Sequence, residues 1–414
     1  MYRELEICNY LPNNYKTQNY QEGSMIKATA YAGAFVGAAM HALLPAAQAD
    51  TVTDYEVIYA PAMQATKAPK TVLTEITYAG DRTIAVGDYG VIIFRDSNDQ
   101  PWQQAEVPTS VLFTSVDFAD ANQGWAVGHH GVIAATTDGG KTWQRQLDGF
   151  EYIQLQKTHF ENLVAELTAQ QDEFDGSDPD AEEALYVALD NAAFALDMAL
   201  VAEEEGPTKP FLDVRVLSSQ VILAVGAYGS LIRSTDGGAS WHIQDNYVEN
   251  PDGFHFNALA ADNDYVYLAG ESGQVFRSAD QGSTWETLDS PYYGSFFGLH
   301  VDAQGNLWIV GLRGNIFMSA DQGESFSQIK LEDTVNINAV VDAAAGGVYL
   351  VGNAGVIGWV NQQGDIENMT HASGAALTDL ITNKDGSLTV VGQRGVIEIP
   401  QFSSIQQTTT TKEQ

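Results

Sequence analysis

The residues best suited to chemistry in this chain come in repeated sets. Thr136–Trp143 reads "TTDGGKTW", Ser234–Trp241 "STDGGASW", Ser278–Trp285 "SADQGSTW" and Ser319–Phe326 "SADQGESF". Each places an aspartate (Asp138, Asp236, Asp280, Asp321) among hydroxyls and an aromatic ring (Trp143, Trp241, Trp285, Phe326) five residues on. A carboxylate beside a hydroxyl is a pairing used in acid–base and nucleophilic catalysis. Catalytic groups are seldom supplied four times at equal spacing, however, and structure accounts for every position. The aspartate can accept backbone N–H bonds across a turn, and the glycine can take the left-handed conformation. The aromatic then starts the next strand and packs between sheets. These copies are therefore expected to be structural, with no catalytic residue among them.

A second recurring set is apolar-Val/Ala-Gly-x-x-Gly-x-apolar, as in "AVGDYGVI", "AVGHHGVI" and "IVGLRGNI". Its variable pairs include Tyr89, His129-His130, Tyr228, Glu271, Arg313 and Arg394. The histidine pair has no third ligand spaced with it, so no metal is expected. Arg313 and Arg394 could hold an acidic ligand group or pair with neighbouring carboxylates. Two segments between repeats add aromatics: "NYVENPDGFHF" with Phe254, and "SPYYGSFF" with Tyr292 and Tyr293. No phosphate loop, zinc-protease helix or nucleophile elbow occurs, and no cofactor is expected.

Positioning these groups falls to the repeat. Its first glycines are Gly87, Gly128, Gly226, Gly270, Gly311, Gly352 and Gly392, with steps of 41, 98, 44, 41, 41 and 40. The long step holds one period plus an insertion of about 57 residues. Each copy reads as four short strands, in the third "FLDVRVL", "VILAVGA", "SLIRST" and "SWHIQD". The Gly-x-x-Gly pair suits a tight turn between the second and third strands, where positive φ is needed. Seven such sheets make an all-β, seven-bladed β-propeller over residues 50–400. The seventh copy lacks a fourth strand, and "DYEVIYA" (Asp54 to Ala60) is expected to supply it and close the ring.

The pattern Ser/Thr-x-Asp-x-Gly-x-Ser/Thr-aromatic resembles the Asp-box, or bacterial neuraminidase (BNR) repeat. Together with "GWAVGHHGVIAATTDGGKTW" (Gly124–Trp143), it closely resembles the photosystem II stability/assembly-factor family of seven-bladed propellers. The likeness covers most of residues 52–400. It implies a non-catalytic assembly or stability factor on the lumenal or exported side of a membrane, with a protein or membrane-protein complex as partner. In a cell without photosynthesis, an envelope assembly or transport system takes that place. The alternative from a shared Asp-box is a sialidase-like glycoside hydrolase or a glycan-binding propeller. Sialidase chemistry needs clustered arginines, a tyrosine nucleophile with its glutamate and an acidic proton donor. Eight of the nine arginines here are scattered through the repeats.

Residues 148–206 interrupt the repeat between blades 2 and 3 and carry two stretches of helical apolar spacing, about residues 152–170 and 180–204. Asp178 or Asp180 suits the start of the second. A helical hairpin is expected, holding 16 acidic residues and one lysine. It reads either as a solvated outer face or as a docking arm. In a propeller the turns between strands two and three share a face with the links between blades. The hairpin, the aromatic links and the Gly-x-x-Gly pairs are therefore expected to converge at one mouth of the channel, as a partner-binding site of Tyr89, His129, His130, Tyr228, Glu271, Arg313, Arg394, Tyr292, Tyr293 and Phe254.

The formal net charge of −35 argues against nucleic-acid partners and anionic lipid. Residues 25–49 have the charged start, short apolar core and Ala-Gln-Ala end of an export signal. Residues 1–24 fit no such signal and read as a leader upstream of a true start at Met25. The only cysteine, Cys8, falls in that leader, which removes disulfides, thiol chemistry and lipid attachment from the mature chain. The expected product is an exported periplasmic (or lumenal) soluble monomer without an integral membrane segment, ending in a polar tail at residues 401–414.

Overall fold

The computed structural model describes residues 55–400 apart from 246, 247, 333 and 345. The leader, the export signal and the polar tail lie outside the described residues. Seven antiparallel sheets follow one another along the chain, six of four strands and the last of three. In every sheet the strands lie side by side in chain order. The first strands of blades 1 to 7 begin at Leu73, Phe113, Phe211, Phe256, Phe296, Ile337 and Leu377. Each of these strands packs on the next, and the seventh packs on the first, which closes an inner ring. The second strands, such as Gly124–Gly128 and Leu307–Gly311, are buried at every residue but Arg82 of blade 1, because neighbouring blades cover both faces. Their near-continuous apolar sequence follows from that double cover.

Three recurring sets of side chains fasten blades to their successors, each at some of the seven joins. At the inner ring, Thr74, Thr114, Asn257, Asn338 and Thr378 each donate to the carbonyl that begins the next first strand (2.7–2.9 Å). One residue further along, Glu75, Ser115, Asp213 and Asp379 accept a backbone N–H from the next blade, as in Ile76 N–H to Asp379 Oδ2 at 2.9 Å. On the side away from the Gly-x-x-Gly turns, Arg82, Arg233 and Arg277 donate to carbonyls of the next blade's Asp-box, at Gly139, Gln281 and Gln322 (2.7–2.9 Å).

Inside the Asp-box, Asp236 Oδ1 accepts from the Ser234 hydroxyl and the Ser240 N–H, while Oδ2 accepts from the Ser240 hydroxyl. The Ser240 bonds lead in holding the Asp236 carboxyl at about 2. Asp321 is held at about 2 in the same way by Ser325 and Ser319. Asp138 and Asp280 make the same turn. Trp143 and Trp241 are buried between sheets, and Trp285 and Phe326 are partly buried there.

The Gly-x-x-Gly turn works differently from the sequence expectation. Its first glycine is extended, not left-handed: Gly128 has φ −172°. Glycine is required there because a Cβ would lie 2.2 Å from the Leu112 carbonyl oxygen, and the other six copies show the same approach at 2.2–2.3 Å. The positive φ falls on the second variable residue and the second glycine, as in His130 (57°) and Gly131 (64°). Gly128→Ala is expected to destabilise the fold by about 2–3 kcal/mol, because backbone on both sides cannot give way. Urea unfolding checks this, and a loss below about 1 kcal/mol would contradict it.

Ring closure also departs from expectation. "DYEVIYA" does not form a strand on blade 7 in the described residues. Glu56–Tyr59 is a single helical turn (α1), and Ile58 is buried beside Val107 and Val111 at the link between blades 1 and 2. Tyr55 and Ile58 have the i, i+3 spacing that one helical turn brings to the same side, and this outweighed the strand-like alternation. Blades 7 and 1 meet instead through side chains. Arg95 of blade 1 donates to Thr389 and pairs with Glu398, and the Tyr78 hydroxyl donates to Thr382 O and Asn383.

The insertion forms two helices, α2 (Gly149–Glu173) and α3 (Pro179–Glu205). Asp148 starts α2 with a capping box to Glu151, and Asp178 caps α3 ahead of Pro179. Gln154 and Lys157 of α2 bind Glu203 of α3 (2.9 and 2.8 Å). By length and composition α3 is apolar enough to cross a membrane.

Candidate binding face

Each Gly-x-x-Gly turn abuts the segment that enters the next blade. Gly90 lies against Thr109 and Ser110, Gly131 against Gly149, Gly229 against Asn250 and Gly273 against Tyr292. The series continues with Asn336 accepting from the Arg313 N–H, Gly355 against His371, and Gly395 against Pro69 ahead of blade 1. Turns and links therefore form one face around the ring. The Asp-box turns close the other ends of the sheets.

On this face six non-glycine residues hold φ of 54–59°: Tyr89, His130, Tyr228, Ser272, Arg313 and Ala354. A left-handed conformation costs an L-residue roughly 1–2 kcal/mol relative to glycine. Four of the six nonetheless carry large side chains, Tyr89, His130, Tyr228 and Arg313.

The hairpin roots on the blade 2 turn. His130 Nδ1 lies 2.8 Å from the Pro207 carbonyl, and Gly149 packs on His130 and Gly131. Tyr55 stacks edge-on to both His130 and Phe150 and donates to the Glu205 carbonyl at 2.6 Å. Tyr59 binds Asp148, and Arg145 lies over the Tyr59 ring. His130 is thus committed to this root, and the His129 ring lies beside it with ring centres 6.4 Å apart. Among the described residues no three His, Asp or Glu side chains are grouped to hold a metal ion.

A second cluster spans blades 3 and 4. Tyr228 packs on His255 (4.9 Å), and Lys209 lies over the Tyr228 ring. His255 donates its backbone N–H to Glu271 (3.0 Å), and its ring lies at the same distance from that carboxylate. The His255 ring leads in holding Glu271 at about 2. Phe254 is half-buried and bonded through its backbone to Asn250. The remaining expected residues do not join a single cluster. Tyr89, Arg313 and Arg394 are exposed on the turns of blades 1, 5 and 7. Tyr292 fills the blade 4–5 seam against Phe296 and Phe317, whereas Tyr293 is 91% exposed.

Sequence reasoning missed the inner-ring acids. Glu75, Asp213 and Asp379 occupy the same register position on the first strands of blades 1, 3 and 7. Burial, and then the charges of Asp213 and Asp379, hold Glu75 well above the ordinary carboxylate range. The signal was an acid two residues after each strand's leading apolar residue, in "LTE", "FLD" and "LTD". A further acid, the half-buried Asp245, anchors the hairpin root to blade 3 by accepting from Leu231 N–H and Gln156. Its burial pushes it up to about 6.

The family model described as "Photosynthesis system II assembly factor YCF48" matches residues 94–166 and 204–292. A "Photosystem II assembly protein Ycf48" from Synechococcus sp. (strain JA-2-3B'a(2-13)) is 28% identical over 176 residues, 42% of this chain and 47% of that protein. The chain thus spans about half the length of the curated relatives it matches. The chloroplastic "Photosystem II stability/assembly factor HCF136" of Cyanidioschyzon merolae (strain NIES-3377 / 10D) is 42% identical over 45 residues, 10% of each chain. Among solved structures, "YCF48 bound to D1 peptide" superposes with a TM-score of 0.55 at 14% identity, covering 80% of this chain and 92% of its own. The WD40 propeller domain of Doa1 gives the same score at 10% identity, covering 84% and 97%. These likenesses show the propeller fold.

Proposed function

We propose that this chain, a BNR-repeat propeller of the photosystem II assembly-factor-like family, is an exported, non-catalytic scaffold that holds a protein partner on its Gly-x-x-Gly face. One observation carries the reading: the side chains that break the sevenfold repeat, among them Tyr89, Tyr228 and Tyr293, are presented together with the hairpin on that face. The neighbour solved with a bound peptide supports a protein as the class of partner. A membrane-protein complex under assembly, or an envelope transport system, is the client this reading names.

The arginines support binding over hydrolysis. Arg277 pairs with Glu286 and Glu324, Arg95 with Glu398, and Arg82 with Asp96, all as fasteners between or within blades. Arg313 and Arg394 sit on separate blades. An acidic sugar therefore has no arginine cluster to meet among the described residues.

The test compares two sets of variants in co-purification from the native envelope. Tyr89→Ser with Tyr228→Ser and Tyr293→Ser is expected to reduce partner recovery at least tenfold. Thr137→Arg with Thr235→Arg, on the Asp-box side, is expected to leave it unchanged. Equal loss from both sets would overturn the choice of face. Turnover of a fluorogenic sialoside, abolished by Arg313→Ala, would overturn the scaffold. An intact amino terminus ahead of residue 50, read by mass spectrometry of the native protein, would overturn export by signal cleavage.

A further inference from the structure

Helix α3 is apolar on two faces. Ala192 and Ala199 are buried against α2, together with partly buried Leu185 and Leu196. On the opposite side Ala184, Val187, Asn191, Phe194, Met198 and Val201 are all exposed, Phe194 by 66% and Val187 by 52%. Their spacing is 3, 4, 3, 4, 3, the a/d pattern of a helix-pairing seam. Asn191 stands at a central a position, where a polar side chain fixes register at some expense of stability. The e positions Ala188, Ala195 and Ala202 are half-buried at the edge of the face packed on α2, and the g positions, on the open side, are Asp190, Asp197 and Glu204. A helix with two apolar faces normally has both of them covered.

We infer that this seam docks an amphipathic α-helix of a partner protein, one whose apolar stripe is flanked by Lys and Arg and carries a polar residue opposite Asn191. This rests on the scaffold reading and names the chemistry of its partner. Charge decides the occupant. One rim of the seam is wholly acidic, and the hairpin as a whole holds 16 acids against one lysine. A second copy would bring the same acidic field against itself, and anionic lipid would be repelled. Crossing a bilayer would place Asp190 and Asp197 mid-helix in hydrocarbon, at roughly 2.5–3.5 kcal/mol each. A basic helix gains from both the apolar stripe and the rim.

The probe is a synthetic 21-residue peptide with Leu at d, Ile at a, Asn at the central a, and Lys at e and g. Its control keeps the core and carries Glu at e and g. Fluorescence anisotropy with the full chain is expected to show binding of the Lys peptide, at least tenfold weaker binding of the Glu peptide, and weakening at high salt. Phe194→Asp supplies the deciding sign. It adds negative charge, so purely electrostatic adhesion would tighten, whereas seam docking is expected to weaken at least tenfold. Circular dichroism confirms that the exposed substitution leaves the helix intact. Asn191→Ile is expected to shift preference toward a probe with Ile at the central a position. Tightening or no change with Phe194→Asp would overturn the proposal. So would concentration-dependent dimerisation of the native chain that Phe194→Asp abolishes, or sedimentation with zwitterionic vesicles. Such failures would leave the Gly-x-x-Gly variants above to stand or fall on their own.

Discussion

Trp143→Ala is expected to lower the unfolding free energy by about 3–5 kcal/mol, the range for emptying a buried large aromatic site. The indole is 4% exposed and shares the blade 1–2 core with Ile84 and Phe113. Its ring meets Phe118 edge-on at 6.0 Å, and its N–H donates to the Gly140 carbonyl within its own turn. Its backbone N–H also donates to Glu106 O of blade 1. Truncation therefore opens a void at a blade seam and removes one turn bond at once. The seam cannot collapse to fill it, since the first strands on either side are tied by Thr74 and Glu75. Phe326→Ala, at a partly buried aromatic of the same repeat, is expected to cost less. Urea unfolding of the two variants checks the ranking. Equal losses would show that the turn, and not the packing, sets the cost.

The second large effect is in pH. Glu75 has a folded-state pKa held above its unfolded value, by burial first, and Asp245 is raised to about 6 by burial. The folded protein then binds more protons than the unfolded chain above about pH 4, so stability falls as pH rises through the raised values. For Asp245 alone the difference of about two units amounts to roughly 3 kcal/mol lost between pH 4 and pH 8. The Asp-box carboxyls act oppositely. Asp236 and Asp321, held at about 2, contribute stability present above pH 4 and lost as pH falls toward 2. The melting temperature is expected to peak near pH 4–5. Glu75→Gln keeps an oxygen for the Val116 N–H and removes the charge. It should raise the melting temperature at pH 8 and change it little at pH 5. General self-repulsion from the net charge of −35 runs in the same direction but is screened by salt, whereas the half-buried cluster of Glu75, Asp213 and Asp379 is screened much less. The Glu75→Gln gain should therefore largely persist at about 0.5 M salt, where the Debye length is roughly half its physiological value of about 8 Å. A melting temperature that falls steadily from pH 8 to pH 5 would rule the account out.

Most of the architecture was legible because the repeat is a count. Seven glycine pairs at a constant step mean seven equivalent sheets, and Asp178 ahead of Pro179 marks a helix start whatever surrounds it. What escaped depended on neighbours distant in sequence. The need for glycine at Gly128 comes from the Leu112 carbonyl, and no local propensity announces it. Tyr55–Ala60 alternates like a strand, yet the pocket at the blade 1–2 link accepts Ile58 from a helical turn. Tyr292 and Tyr293 are adjacent in sequence, but one fills a seam and the other faces water. The channel acids looked like ordinary surface charge until their strands became the inner ring.

The inner-ring fasteners at the start of the first strands, and the Asp-box arginines, share one direction. Thr74, Glu75 and Arg82 of blade 1 reach forward to blade 2, and Thr114 and Ser115 of blade 2 reach forward to blade 3. A ribosome releases the chain in that same order, so every emerging sheet meets a predecessor whose anchoring groups are already in place. For these fasteners growth is vectorial. The exception is the last join, where Thr378 and Asp379 reach round to the segment made first. Completion of the circle is thus reserved for a full-length product, and a truncated one would be left with its starting edge bare.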